Sequence, residues 1–137
     1  MTSRLNPYLS FNGDARAAME FYRSVFGGEL VLNTFGDYAN ADPAMADKVM
    51  HAQLETDAGY TLMGSDTMPG MPYNPGTTMT VSLSGDDSGP LHDYWTKLAE
   101  GGTVTVELEK QMWGDEFGQL TDRFGVPWMV NIGQSQG

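Results

Sequence analysis

Two histidines and no cysteine limit the chemistry open to this chain. The segment Met50-His51-Ala52-Gln53-Leu54-Glu55 alternates apolar and polar side chains with the period of a strand. On that alternation Met50, Ala52 and Leu54 pack against a helix, and His51, Gln53 and Glu55 share the other face, turned to a pocket or to solvent. In a pocket, His51 would act as hydrogen-bond donor or general base. His92 falls off the apolar stripe of a helix and reads as a solvated surface side chain. The run Met112-Trp113-Gly114-Asp115-Glu116-Phe117-Gly118 is a loop or bulged bend. There Trp113 is placed to stack on a planar ligand and Asp115 to fix its polarity, while Phe117 covers a core edge. In Asp122-Arg123-Phe124-Gly125-Val126-Pro127-Trp128, Asp122 is expected to bond turn amides and Gly125 to take a positive φ. Trp128, on the strand that follows, is expected to border the pocket.

The elements that position these residues form a pattern used twice. Asp14 is expected to cap a helix whose apolar side is Ala15, Ala18, Met19, Tyr22 and Phe26, stopped by Gly27-Gly28. A second helix begins near Ser88-Gly89-Pro90, carries Leu91, Tyr94, Trp95 and Leu98, and ends at Gly101-Gly102. Each follows a short strand (from Pro7 and from Thr78) and precedes three more. Gly13 to Gly85 is 72 residues, Gly27 to Gly101 is 74 and Gly59 to Gly125 is 66, consistent with internal duplication. The drop is ascribed to a longer first-half loop, Gly36 to Asp47, read as turn and lid. The predicted fold is therefore α+β, a βαβββ unit repeated over about 5–66 and 77–132. Residues 67–76 join the units as a stiff, proline-rich connector whose Met68, Met71 and Tyr73 pack against a sheet edge, a subunit contact or a ligand.

Composition narrows the function classes. The chain has 137 residues, 7 basic and 18 acidic, for a net charge of −11. That length suits one domain with a real core. So acidic a surface disfavours nucleic acid and anionic membranes and favours cationic ligands. The lack of cysteine excludes a disulfide framework, a thiolate zinc site and a cysteine nucleophile. No apolar run of membrane-spanning length and no apolar signal core after Met1 are found, so a cytoplasmic protein is expected. Neither a phosphate-binding glycine loop nor a serine-hydrolase elbow is present.

With these turns, the duplicated unit resembles the vicinal-oxygen-chelate superfamily of glyoxalases, extradiol dioxygenases and bleomycin-resistance proteins, and within it the PhnB-like branch. The matching residues are Pro7 to Phe11, Ala18 to Tyr22, Val25 to Glu29, His51-Ala52, Leu62 to Asp66, Leu98 to Gly102, Met112 to Gly118 and, most specifically, Asp122 to Trp128. The resemblance implies that each unit curls into a half-barrel with its helix outside, that paired units enclose a cavity, and that the protein is a homodimer. The branch also carries a ubiquinone-pathway methyltransferase label. No glycine-rich strand-to-helix turn able to hold a methyl-donor nucleoside accompanies it here.

Metal-dependent members are expected to ligate a divalent ion at four equivalent positions. Carried onto this chain, those are Pro7 and Met79 on the first strands and Met63 and Met129 on the last. Proline offers no donor and a thioether is soft, so no metal and no cofactor are expected. An unconventional site from His51 and Glu55 with Asp66 or Glu107 is a weak donor set. The ligand-binding candidates are His51, Gln53, Glu55, Met63, Trp113, Asp115 and Trp128, with His51 the catalytic candidate. The leading expectation is a binding protein for a compact small molecule. Alternatives are a lyase, isomerase or dioxygenase with an unconventional metal or a His51 acid–base, and a drug-sequestering resistance protein.

Overall fold

The computed structural model describes residues 5–37, 46–67, 73, 76 and 79–133. Most of the expected first-half lid, and Met68 and Met71 of the connector, lie outside the described residues. Two compact units divide the chain, Met1–Pro75 and Gly76–Gly137. Unit one runs β1 (Tyr8–Phe11), α1 (Ala15–Phe26), β2 (Glu29–Thr34), a 3-10 turn (Phe35–Asp37), β3 (Val49–Glu55) and β4 (Thr61–Asp66). Unit two runs β5 (Val81–Gly85), α2 (Ser88–Ala99), β6 (Thr103–Lys110), β7 (Glu116–Thr121) and β8 (Pro127–Ile132). The sheets are ordered β1-β4-β3-β2 and β5-β8-β7-β6. First and last strands pair parallel and the others antiparallel. These are the two tandem βαβββ units predicted, each an open mixed sheet.

In unit one α1 buries Ala15, Ala18, Met19, Tyr22, Val25 and Phe26 against Phe11, Ala52, Leu54 and Leu62. Met19 and Phe26 each contribute on the order of 1.5–3 kcal/mol of apolar burial. In unit two Leu91 and Leu98 of α2 are buried, as are Leu83, Leu120, Trp128, Val130 and Ile132 of the sheet.

Two expectations need correction. Met50 does not share the buried face with Ala52 and Leu54. Asn33 pairs with His51 but Thr34 pairs with Val49, so Met50 is an extra residue in a β-bulge. The bulge resets the phase: Val49 is fully buried and Met50 only half so. Nor does Asp14 cap α1, for its side chain makes no cap hydrogen bond. Asp66, at the end of β4, does so instead, accepting from the backbone N–H of Gly13, Ala15 and Val49 at 2.9 Å each.

The ladders also revise the repeat. Tyr8 pairs with Met63 as Ser82 pairs with Met129, so β1 maps onto β5 with an offset of 74, not the 72 read from the glycines. Gly13 stands in a turn with φ +100, whereas Gly85 closes β5, so the two are not counterparts. The second hairpin holds an offset of 66 throughout: Gln53–Met63 recurs as Gln119–Met129. Gly28 and Gly102 do the same work in both units. A Cβ on Gly28 would stand 2.0 Å from the Glu55 carbonyl oxygen, and one on Gly102 would stand 2.4 Å from that of Thr121. Each lets the helix exit run against the hairpin backbone.

Candidate functional site

Strand alternation gives the unit-one sheet one face under α1 and one that α1 leaves uncovered. The uncovered face carries Tyr8 and Ser10 on β1, Thr61, Met63 and Ser65 on β4, His51, Gln53 and Glu55 on β3, and Glu29, Val31 and Asn33 on β2. Four sequence candidates are therefore together: His51, Gln53, Glu55 and Met63, all half-buried. Tyr8 reaches across β4 to place its hydroxyl 3.2 Å from His51 Nδ1, with the rings 5.8 Å apart and tilted by 33°. At the other end, Glu55 accepts from Gln53 Nε2 at 2.6 Å and from Thr61 Oγ1 at 2.7 Å. Between the two ends Tyr8, Met63, Gln53 and Val31 form one row, in which Tyr8 is 50% and Val31 58% exposed.

Sequence reasoning did not place Tyr8 beside His51. Its signal was the Tyr8–Ser10 alternation in β1. What the sequence lacked was the register that lays β1 beside β4 and so within reach of His51.

The metal positions carry a poor donor set. Pro7 contributes its carbonyl to the Met63 amide at 3.2 Å. Met79 is 79% exposed, lies before β5, and by the ladder is not the counterpart of Pro7. The residues that face Met63 and Met129 across the parallel pairs are Tyr8 and Ser82. In each unit taken by itself, a thioether and a neutral hydroxyl do not suit a hard divalent cation. Asp66 is 3% exposed, on the opposite face from His51, and its oxygens are taken by three amides. Among the described residues no three His, Cys, Asp or Glu side chains gather.

In unit two Trp113 and Asp115 sit in the β6–β7 loop. Trp113 is 60% exposed and its ring centroid lies 6.3 Å from that of Phe117. Asp115 accepts from Asn131 Nδ2 at 3.1 Å, and Asn131 pairs with Phe117 across the β7–β8 ladder. Trp128 is not beside them. It is 1% exposed on the face that carries Leu120 and Val130, and its Nε1–H donates to Asp122 Oδ2 at 2.9 Å. An indole so enclosed is a core member rather than a pocket wall. Asp122 does bond its turn, accepting from the amides of Phe124 and Val126, and Gly125 takes φ +87. His92 is at the surface as expected, its side chain 44% exposed, with Nε2 3.2 Å from Glu116 Oε1, a contact that links α2 to β7.

A family model described as 3-demethylubiquinone-9 3-methyltransferase matches residues 3–131. The chain belongs to that family. Other proteins of known sequence or structure are similar to it. Protein YjdN of Escherichia coli K12 is 30% identical over 145 residues, covering 96% of this chain and 97% of YjdN. The structure of PA1353 from Pseudomonas aeruginosa matches at 38% identity and a TM-score of 0.87, over 98% of this chain and 100% of that one. A PhnB protein from Bacillus cereus matches at 24% identity and a TM-score of 0.74, over 96% and 100% of the two chains. The bleomycin resistance determinant encoded on transposon Tn5 shares the fold at 18% identity and a TM-score of 0.59, over 98% and 100%. The chain thus has the vicinal-oxygen-chelate fold. No described helix is long and apolar enough to cross a membrane.

Proposed function

We propose that this protein binds a compact small molecule without the divalent metal that other members of the superfamily use. One observation carries the reading. A face of hydrogen-bonding and apolar side chains, with Tyr8 bonded to His51, is left uncovered by α1, while the expected ligand positions hold thioethers. Apolar contact with Tyr8, Met63 and Val31 and a few fixed polar groups are what a small-molecule site requires. Trp113 and Asp115 form a second candidate surface on unit two. The field of −11 works against anionic ligands. The test is elemental analysis of the purified protein followed by titration with Zn²⁺, Mn²⁺ and Fe²⁺. No stoichiometric metal and only weak uptake are expected, and a tightly held equivalent of any of the three overturns the reading.

An acid–base enzyme is the second reading, and the Tyr8–His51 bond favours it, because an oriented imidazole is what proton transfer needs. In that case His51→Ala removes turnover and leaves the unfolding transition in place. A binding protein loses affinity alone.

A further inference from the structure

The uncovered face of unit one is graded in polarity, with neutral hydrogen-bonding groups at one end and the carboxylates Glu29 and Glu55 at the other. Across the strand order, Ser10 of β1 pairs with Ser65 of β4, and His51 of β3 pairs with Asn33 of β2. The β3–β4 register, continued one step beyond Ala52–Gly64, brings Ser65 beside His51. The row Ser10–Ser65–His51–Asn33 thus spans all four strands, about 14 Å at the usual strand spacing. At the other polar end Gln53, Glu55 and Thr61 bond to one another, with the exposed carboxylate of Glu29 beside them. In the four-residue row, the Tyr8–His51 contact is the one side-chain hydrogen bond among the described residues.

That contact sets what His51 offers. A phenol hydroxyl is a stronger donor than acceptor, and the unprotonated nitrogen of a neutral imidazole is a strong acceptor. Donation from Tyr8 to Nδ1 leaves the proton on Nε2, which no described residue engages. The row then presents an N–H, an amide and two hydroxyls, with no Lys or Arg on the face to meet a negative charge. Beside it, Tyr8, Met63 and Val31 offer an apolar bed.

We propose that the row Ser10–Ser65–His51–Asn33 takes the oxygen-bearing end of an uncharged carbonyl, amide or hydroxyl compound, with Tyr8 as the positioning residue that holds His51 as an Nε2–H donor. This rests on the small-molecule reading above and deepens it. A ligand lying here accepts from Nε2 and places its apolar body along Tyr8, Met63 and Val31.

Nitrogen-15 NMR of the full chain at about pH 8, where an ordinary imidazole is neutral, separates the two levels. The ring nitrogens of His51 report the tautomer without any ligand, and Nε2–H is expected. The Tyr8→Phe variant keeps the ring and drops the hydroxyl, so its His51 shifts toward a tautomer mixture. Benzamide, benzoate and benzamidine then serve as probes. Benzamide is expected to perturb Ser10, Asn33, His51 and Ser65 and to bind Tyr8→Phe about 3- to 10-fold more weakly, the range of one neutral hydrogen bond. Benzoate is expected to leave the row unmoved. An Nδ1–H tautomer in the parent protein, or benzoate binding as well as benzamide, overturns the donor assignment and leaves the binding-protein reading standing. No perturbation of this face by any of the three probes overturns both.

Discussion

Asp66 accepts the backbone N–H of Ala15 at 2.9 Å, so the first turn of α1 is capped from the end of β4, 51 residues along the chain. The same carboxylate holds Gly13 and the first residue of β3. One side chain therefore ties helix, hairpin and parallel strand together.

Removing that carboxylate leaves amide donors at the helix start and at buried Val49 without partners. Asp66→Ala is expected to cost about 3 kcal/mol, read from urea unfolding. Asp14→Ala, which breaks no cap bond, is expected to stay within about 0.5 kcal/mol. Equal losses would mean that Asp14 is the cap after all.

The two helix exits should respond alike to a single methyl group. At Gly28 and Gly102 an added Cβ meets hairpin backbone, which has no side chain to swing aside. Gly28→Ala and Gly102→Ala should each cost at least about 2 kcal/mol in the same assay. Gly59→Ala has open space and only its φ of +92 to contend with, so about 1 kcal/mol is expected.

Tryptophan fluorescence distinguishes the two indoles the sequence grouped together. Trp113 is 60% exposed and Trp128 is 1% exposed. Trp113→Phe should remove the larger share of the emission that acrylamide quenches, half-buried Trp95 supplying the rest, with stability changed by under about 0.5 kcal/mol. Trp128→Phe should preserve that quenchable part and cost about 2 kcal/mol, because it strips a bond from buried Asp122.

Among the described methionines, oxidation should follow exposure. Met112 at 98% and Met79 at 79% are expected to become sulfoxides first under dilute peroxide, and Met19, fully buried, last. Peptide mass mapping over time checks the order. Early loss of Met19 would mean that α1 opens readily.

What the sequence showed, it showed through periodicity and punctuation. The stripe from Ala15 to Phe26, the paired glycines and the alternation of His51, Gln53 and Glu55 all depend on neighbours within about ten residues. What it hid depends on partners across the sheet. The bulge at Met50 is visible only in the β2–β3 register. The cap from Asp66 and the reach of Tyr8 to His51 both depend on β1 lying beside β4. Trp128 was misplaced for a related reason: its strand has apolar residues on both faces, so alternation could not say which one meets α2.

The hairpin offset of 66 sets His51 and Phe117 at the same station of two matching frames, one an imidazole and the other a phenyl ring. The residues that build the frame, such as Ala52 and Gly118 next to those stations, turn to the opposite face of each sheet. The two units therefore present different side chains at equivalent stations of their sheets, on frames held by the same kind of ladder.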